Sequence, residues 1–181
     1  SNEPRCTSCH IGYGWKDKTF DFSDPAKVDC LVCHERTGTY KKFPAGAGNP
    51  AAKPTVFPGD GKTYEPPDWN RVAQSVGRPT RDNCGACHFY GGGGDAVKHG
   101  DLDSSMHKPN RSLDVHMGVD GKNFDCTRCH TTRAHQVAGR IYATPAATER
   151  TPLTRDDLTP RITCESCHTA TPHRPGVKAN D

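Results

Sequence analysis

Aliphatic side chains are scarce in this sequence: Leu, Ile, Val and Phe together make up 24 of 181 residues. That share, about 13%, lies below the roughly 20% at which an ordinary core becomes doubtful. Long apolar runs are missing as well. No stretch reaches the roughly 18 residues of a membrane-crossing helix, and no apolar leader segment opens the chain, which therefore reads as mature or trimmed. A charge excess of either sign is also absent, with 24 Lys+Arg against 21 Asp+Glu and a formal net charge of +3. That balance excludes a strongly basic nucleic-acid binder and an acidic tail. It also argues against disorder, which combines low hydrophobicity with high net charge. Something other than aliphatic side chains must fill the interior.

What the chain has in quantity is cysteine. All ten fall into five Cys-x-x-Cys-His pentapeptides: Cys6/Cys9/His10, Cys30/Cys33/His34, Cys84/Cys87/His88, Cys126/Cys129/His130 and Cys164/Cys167/His168. This is the attachment motif of c-type haem, in which two sulfurs form thioethers to the porphyrin and the following His gives one axial nitrogen to iron. Two intervening residues let both sulfurs reach the ring edge while the His folds beneath its plane. Zinc is the first competing use, since the first two pairs read Cys-x2-Cys-x20-Cys-x2-Cys, a ribbon-like spacing. Five pairs do not divide into four-ligand sites, however, and zinc makes no demand for the five histidines. A disulfide framework leaves them unexplained too. With 10 His in the chain, their placement after all five pairs by chance is on the order of one in a million.

Five covalently attached c-type haems in 181 residues resolve the compositional puzzle, because the porphyrins become the core. The expected fold is a multihaem cytochrome c: mostly irregular coil with short α-helices, little or no β-sheet, and a haem-filled interior. Folding is then coupled to cofactor attachment. Thioether attachment follows export, which places the protein in the periplasm or outside the cell. Residues 70–76 are predicted to form two helical turns, and each motif to sit on a single turn. Between Phe43 and Pro67 six prolines predict an extended, irregular connection. It divides residues 1–67, with two haems, from residues 68–181, with three, inside a single pentahaem domain spanning 1–181. A second Pro/Thr-rich stretch runs from Thr144 to Pro160.

Five further histidines remain once the motifs are set aside, His99, His107, His116, His135 and His173, and five haems need five sixth ligands. Bis-His iron is closed and low-spin, which suits electron transfer. His99, His116, His135 and His173 are the stronger candidates; His107 lies in a polar run, Ser104 to Pro109. Met106 and Met117 are weaker thioether alternatives. Gly91-Gly92-Gly93-Gly94 lacks the Lys-Ser/Thr of a phosphate loop and suits a backbone passing close to a porphyrin face. Directly after it, Asp95 to Asp103 crowds Lys98, His99 and three carboxylates into nine residues, either tuning a haem or forming a solvated turn.

Pro4-Arg5-Cys6-Thr7-Ser8-Cys9-His10-Ile11-Gly12-Tyr13-Gly14-Trp15, Asp29-Cys30-Leu31-Val32-Cys33-His34, and Cys84-Gly85-Ala86-Cys87-His88-Phe89-Tyr90 with the glycine run and Lys98-His99-Gly100-Asp101 resemble the octaheme tetrathionate reductase family. The likeness runs through nearly the whole chain. It implies an exported multihaem cytochrome in which one haem, with a lysine in its axial ligation, reduces tetrathionate, nitrite or hydroxylamine. By this resemblance the five motifs are the family's second to sixth, and the special haem is the one on Cys6 and Cys9. Lys98 is the first candidate for the lysine, with Lys41 and Lys42 as alternatives. The family's first motif and its last two have no counterpart here. Two readings therefore stand: an electron conduit serving redox partners or further copies of the chain in a head-to-tail filament, and an oxidoreductase of tetrathionate reductase type acting on a small anionic sulfur or nitrogen substrate.

Overall fold

The computed structural model describes residues 7–91, 93–97, 102–130, 132–133, 135–137, 168 and 175–176. The chain separates into two compact units, Ser1–Asn123 and Phe124–Asp181. The boundary expected between residues 67 and 68 falls within the first of them, because the helices carrying the second and third motifs pack together across it.

Helices are few and short. In the first unit they are α1 (Cys30–His34), α2 (Trp69–Gln74) and α3 (Arg81–His88), with 3-10 turns at Pro25–Lys27 and Ser104–His107. Each begins where a side chain can take up a free backbone N–H. Asp29 accepts from Leu31 N–H at 3.0 Å to open α1. Asp68 accepts from Arg71 N–H at 3.1 Å to open α2, so Asp68→Ala is expected to cost about 1 kcal/mol in a denaturant midpoint series. The helix expected at 70–76 is present as α2, one residue earlier at its start and two shorter at its end. Sheet is limited to two antiparallel pairs among the described residues: β1 (Thr55–Val56) with β2 (Thr63–Tyr64), and, in the second unit, β3 (Thr132–Arg133) with β4 (Gln136–Val137). The first pair lies inside the proline-rich connection, where Phe43 packs edge-on against Phe57 and Tyr64 with centroids 5.8 and 5.5 Å apart.

Among the described residues the buried apolar side chains are Ala47, Ala51, Val72, Phe89 and Met106 together with Pro67 and Pro109, while fourteen large ones are exposed, Phe22 at 73% and Val115 at 61% among them. Polar anchors do much of the holding. The buried Arg81 guanidinium at the start of α3 donates to Met117 O at 2.9 Å and Asn123 Oδ1 at 3.2 Å, and reaches His107 O at 3.5 Å. It thereby ties residues 107–123 to the helix of the third motif. Gly48, at φ +87°, lets residues 45–48 close on the first motif's outgoing chain, where a Cβ would stand 2.5 Å from Gly12 O.

Candidate haem sites

Two of the motifs sit on helical turns, as their spacing demands, and the described part of a third lies in a turn. Cys30, Cys33 and His34 span α1, Cys84, Cys87 and His88 form the second half of α3, and Cys9 and His10 lie in a turn. The fourth motif, in the second unit, departs from that expectation at Cys129. Its 3-10 turn runs only from Cys126 to Arg128, so Cys129 and His130 stand just past the helical residues that were expected to carry them. Two local causes act together. Asp125 makes no side-chain cap bond of the kind Asp29 gives α1, and a single carbonyl, Cys126 O, takes both Cys129 N–H at 3.1 Å and His130 N–H at 2.8 Å. That sharing tightens the turn and ends it. Cys129 still holds helical dihedrals, φ −104° and ψ −43°, and its half-buried thiol is in no disulfide. Cys6, Cys164, Cys167, Lys98, His99 and His173 lie outside the described residues.

Within the first unit three motifs converge. The Cys87 thiol hydrogen-bonds Cys9, and burial, followed by the charge of Cys9, pushes its pKa up to about 11. Cys33 is also shifted upward, chiefly by burial and then by Asp29. His34 is oriented by a group far away in sequence: its Nδ1 donates to Gly77 O at 2.8 Å, and Gly77 N–H returns a bond to His34 O at 2.9 Å. Donation from Nδ1 puts the ring proton there and the lone pair on Nε2, the nitrogen a metal takes.

Beside the first motif lies a buried polar cluster. Lys42 Nζ donates to His10 O and Gly12 O, both at 2.9 Å, and stands 3.7 Å from Asp29 Oδ2. Tyr40 hydroxyl donates to the same Asp29 oxygen at 2.7 Å, while the other oxygen caps α1. Asp29 therefore links the first motif to the second. Burial pushes the Lys42 pKa below its ordinary value against the opposing pull of Asp29, and burial with the Asp29 bond pushes that of Tyr40 up. Lys41 is exposed. On the far side of His10 an open cavity of about 220 Å³ is lined by Trp15, Phe20, Phe22, Lys27 and Val28. Trp15 meets the His10 ring edge-on at 5.5 Å.

The remaining histidines differ in their surroundings. His107 Nδ1 is 2.8 Å from Asp82 Oδ1, and its ring stands edge-on to Phe89 at 4.7 Å. His116 and His135 are exposed, the latter at φ +65° in the turn between β3 and β4. Met106 is buried. In the acidic run, Asp95 and Asp103 close the loop locally: Asp95 Oδ1 accepts from Ser104 N–H at 2.9 Å and Asp103 Oδ1 from Ser105 N–H at 3.0 Å.

The chain matches the family model of outer membrane cytochromes, MtrC/MtrF-like, domains II/IV, over residues 2–179. It belongs to this family of multihaem c-type cytochromes. It is also similar to the crystal structure of an octaheme cytochrome c from Shewanella oneidensis, at 49% identity and a TM-score of 0.68, covering 99% of this chain and 34% of that one. An uncharacterized protein of Archaeoglobus fulgidus is 25% identical over 138 residues, 72% of this chain and 45% of its own length. The chain thus spans less than half of each relative.

The residues fit covalent haem on their own evidence. The MtrC/MtrF-like chain buries few apolar side chains among its described residues and presents many that an apolar disc would cover. Its described motif cysteines sit on or beside short turns, and His34, donating through Nδ1, carries its lone pair on Nε2, the nitrogen a metal takes. Haem c, when bound, supplies a one-electron iron couple within an apolar disc. The chain's part is to fix the sulfurs and imidazoles that hold it. Among the described residues no helix is long and apolar enough to cross a membrane.

Asn83, Gly77 and the Asp29–Tyr40 pair were not singled out from sequence. One local signal was present: a capping-type residue, Asp29, Asn83, Asp125 or Thr163, directly precedes four of the motifs.

Proposed function

We propose that this chain is an electron conduit, a pentahaem cytochrome that passes electrons along closely spaced haems outside the cytoplasm, in the periplasm or beyond. The five motifs carry the haems through Cys6/Cys9, Cys30/Cys33, Cys84/Cys87, Cys126/Cys129 and Cys164/Cys167. His10, His34, His88, His130 and His168 are the proximal ligands, His99, His116, His135 and His173 complete four of the irons, and His107 completes the fifth. The observation that carries this reading is the convergence of three motifs in one unit, where α1 packs on α3 and Asp29, which opens α1, meets the Lys42 that holds the first motif's carbonyls. Redox proteins, or further copies joined head-to-tail, receive the electrons.

The surroundings of Lys42 favour a second reading, reduction of an anionic sulfur or nitrogen compound at the first haem. Lys42 is buried beside His10, its Nζ held by His10 O, Gly12 O and Asp29, and places a positive charge there that offsets the charge of an anionic substrate. It is a better-supported candidate than the exposed Lys41, and Lys98 lies outside the described residues. His107, engaged by Asp82, is then surplus to the ligand count.

Low-temperature electron paramagnetic resonance of the oxidised protein, before and after tetrathionate and then hydroxylamine, separates the readings. The conduit predicts five low-spin signals indifferent to both additions. A high-spin or His/Lys signal that shifts with either compound establishes the reductase.

A further inference from the structure

The helix carrying the third motif reaches the helix carrying the second through one side chain. Asn83 Nδ2 donates to Glu35 O at 2.6 Å and Val32 O at 3.3 Å, at the open C-terminal end of α1. Its Oδ1 faces the other way and accepts from the N–H and hydroxyl of Thr80, both at 2.8 Å, at the start of α3. One amide thus serves the unpaired groups of two helix ends at once. The same segments meet again where His34 and Gly77 exchange two bonds and where Arg36 N–H donates to Ser75 Oγ at 3.2 Å. The α1 partners of Asn83 lie 48 and 51 residues away, so no local chain geometry brings the two motifs together. The position needs a donor and an acceptor on opposite sides of one short planar group, which asparagine has and aspartate lacks.

We propose that Asn83 is a positioning residue for electron exchange, latching the haems on Cys30/Cys33 and Cys84/Cys87 into one rigid pair. This rests on the multihaem reading of the motifs. Each porphyrin is fixed to its helix by two thioethers and an imidazole, so the approach of two haems follows the approach of their helices. Small displacements of that kind change electron exchange and ligand-plane geometry together.

The test uses the haem-loaded full chain, with haem per chain counted first by pyridine haemochrome and intact mass. Asn83→Asp keeps the oxygen that accepts from Thr80 but removes the donor that holds α1, and Asn83→Ser, without adding charge, keeps a hydroxyl near Thr80 on a side chain too short to reach the α1 carbonyls as well. Thr80→Val does the reverse, weakening the cap and leaving the latch. At full loading, both Asn83 variants are expected to shift the low-temperature paramagnetic resonance signals of two haems and leave the other three in place. Thr80→Val is expected to melt earlier with an unchanged spectrum. Spectra of Asn83→Ser superimposable on wild type overturn the proposal, and so does the same shift in Thr80→Val, which makes the effect one of stability. If Asn83→Asp loads fewer haems, Asn83→Ser decides. A wild-type chain without haem overturns the functional reading and this proposal with it, and the haem count alone reveals that case.

Discussion

Lys42→Ala is expected to destabilise the folded protein by about 3–5 kcal/mol, the cost of breaking a buried ion pair from one side. The two side chains are 4% and 7% exposed, so water does not replace the lost partner. The substitution strips the donor from His10 O and Gly12 O and leaves the Asp29 carboxylate with Tyr40 and the α1 N–H alone. The double variant Lys42→Met with Asp29→Asn removes both charges, and much of the loss is expected to return. A double-mutant cycle by denaturant unfolding measures the difference. The pH profile carries its own signature. Because the folded-state pKa of Lys42 lies below 10.5, the unfolded chain holds more protons between the two values, and stability contributed by this group rises with pH through that window. Tyr40, raised above 10.0, acts oppositely, its contribution being complete below pH 10 and lost as pH rises further. Lys42→Met is expected to leave only the alkaline fall.

Phe89→Ala carries an expected loss of similar size, about 3–5 kcal/mol for a fully buried ring. Phe89 is 1% exposed and is the largest side chain in a core of very few. Its ring lies over the first residue between the third motif's cysteines, Gly85, where an added Cβ would stand 2.3 Å from Cε2. Gly85→Ala must therefore move the ring, at a cost of about 1–3 kcal/mol. The two changes share one volume, so the double variant is expected to lose less than the sum of the singles. Chemical denaturation of the four proteins, matched for haem content, checks this.

The parts of the fold that depend on short spacing were legible in the sequence. Cys-x-x-Cys-His dictates a turn, and Cys30–His34 and Arg81–His88 form such turns, while the scarcity of Leu and Ile anticipates the meagre core. The early end of the turn before Cys129 was not legible, because the Cys-x-x-Cys-His pattern is the same and the unmade cap at Asp125 and the shared Cys126 carbonyl show only in the structure. The β1–β2 pair escaped notice because two residues per strand give no alternation to read. Lys42 was indistinguishable from Lys41 for a different reason. Which of two adjacent lysines turns inward is set by the Lys42–Pro50 bridge and by carbonyls about 30 residues away. The Asn83 and Gly77 contacts are likewise long-range, and no local pattern encodes them.

The carbonyl of Gly77 also bears on where an electron rests. An imidazole that donates Nδ1–H to a neutral carbonyl gains less negative character than one backed by a carboxylate, as His107 is by Asp82. With His34 as an iron ligand, the oxidised metal receives the smaller share of that stabilisation, and its couple is drawn toward the reduced side. A haem carried by the second motif would thus hold an electron more readily than the same haem with a carboxylate behind its imidazole.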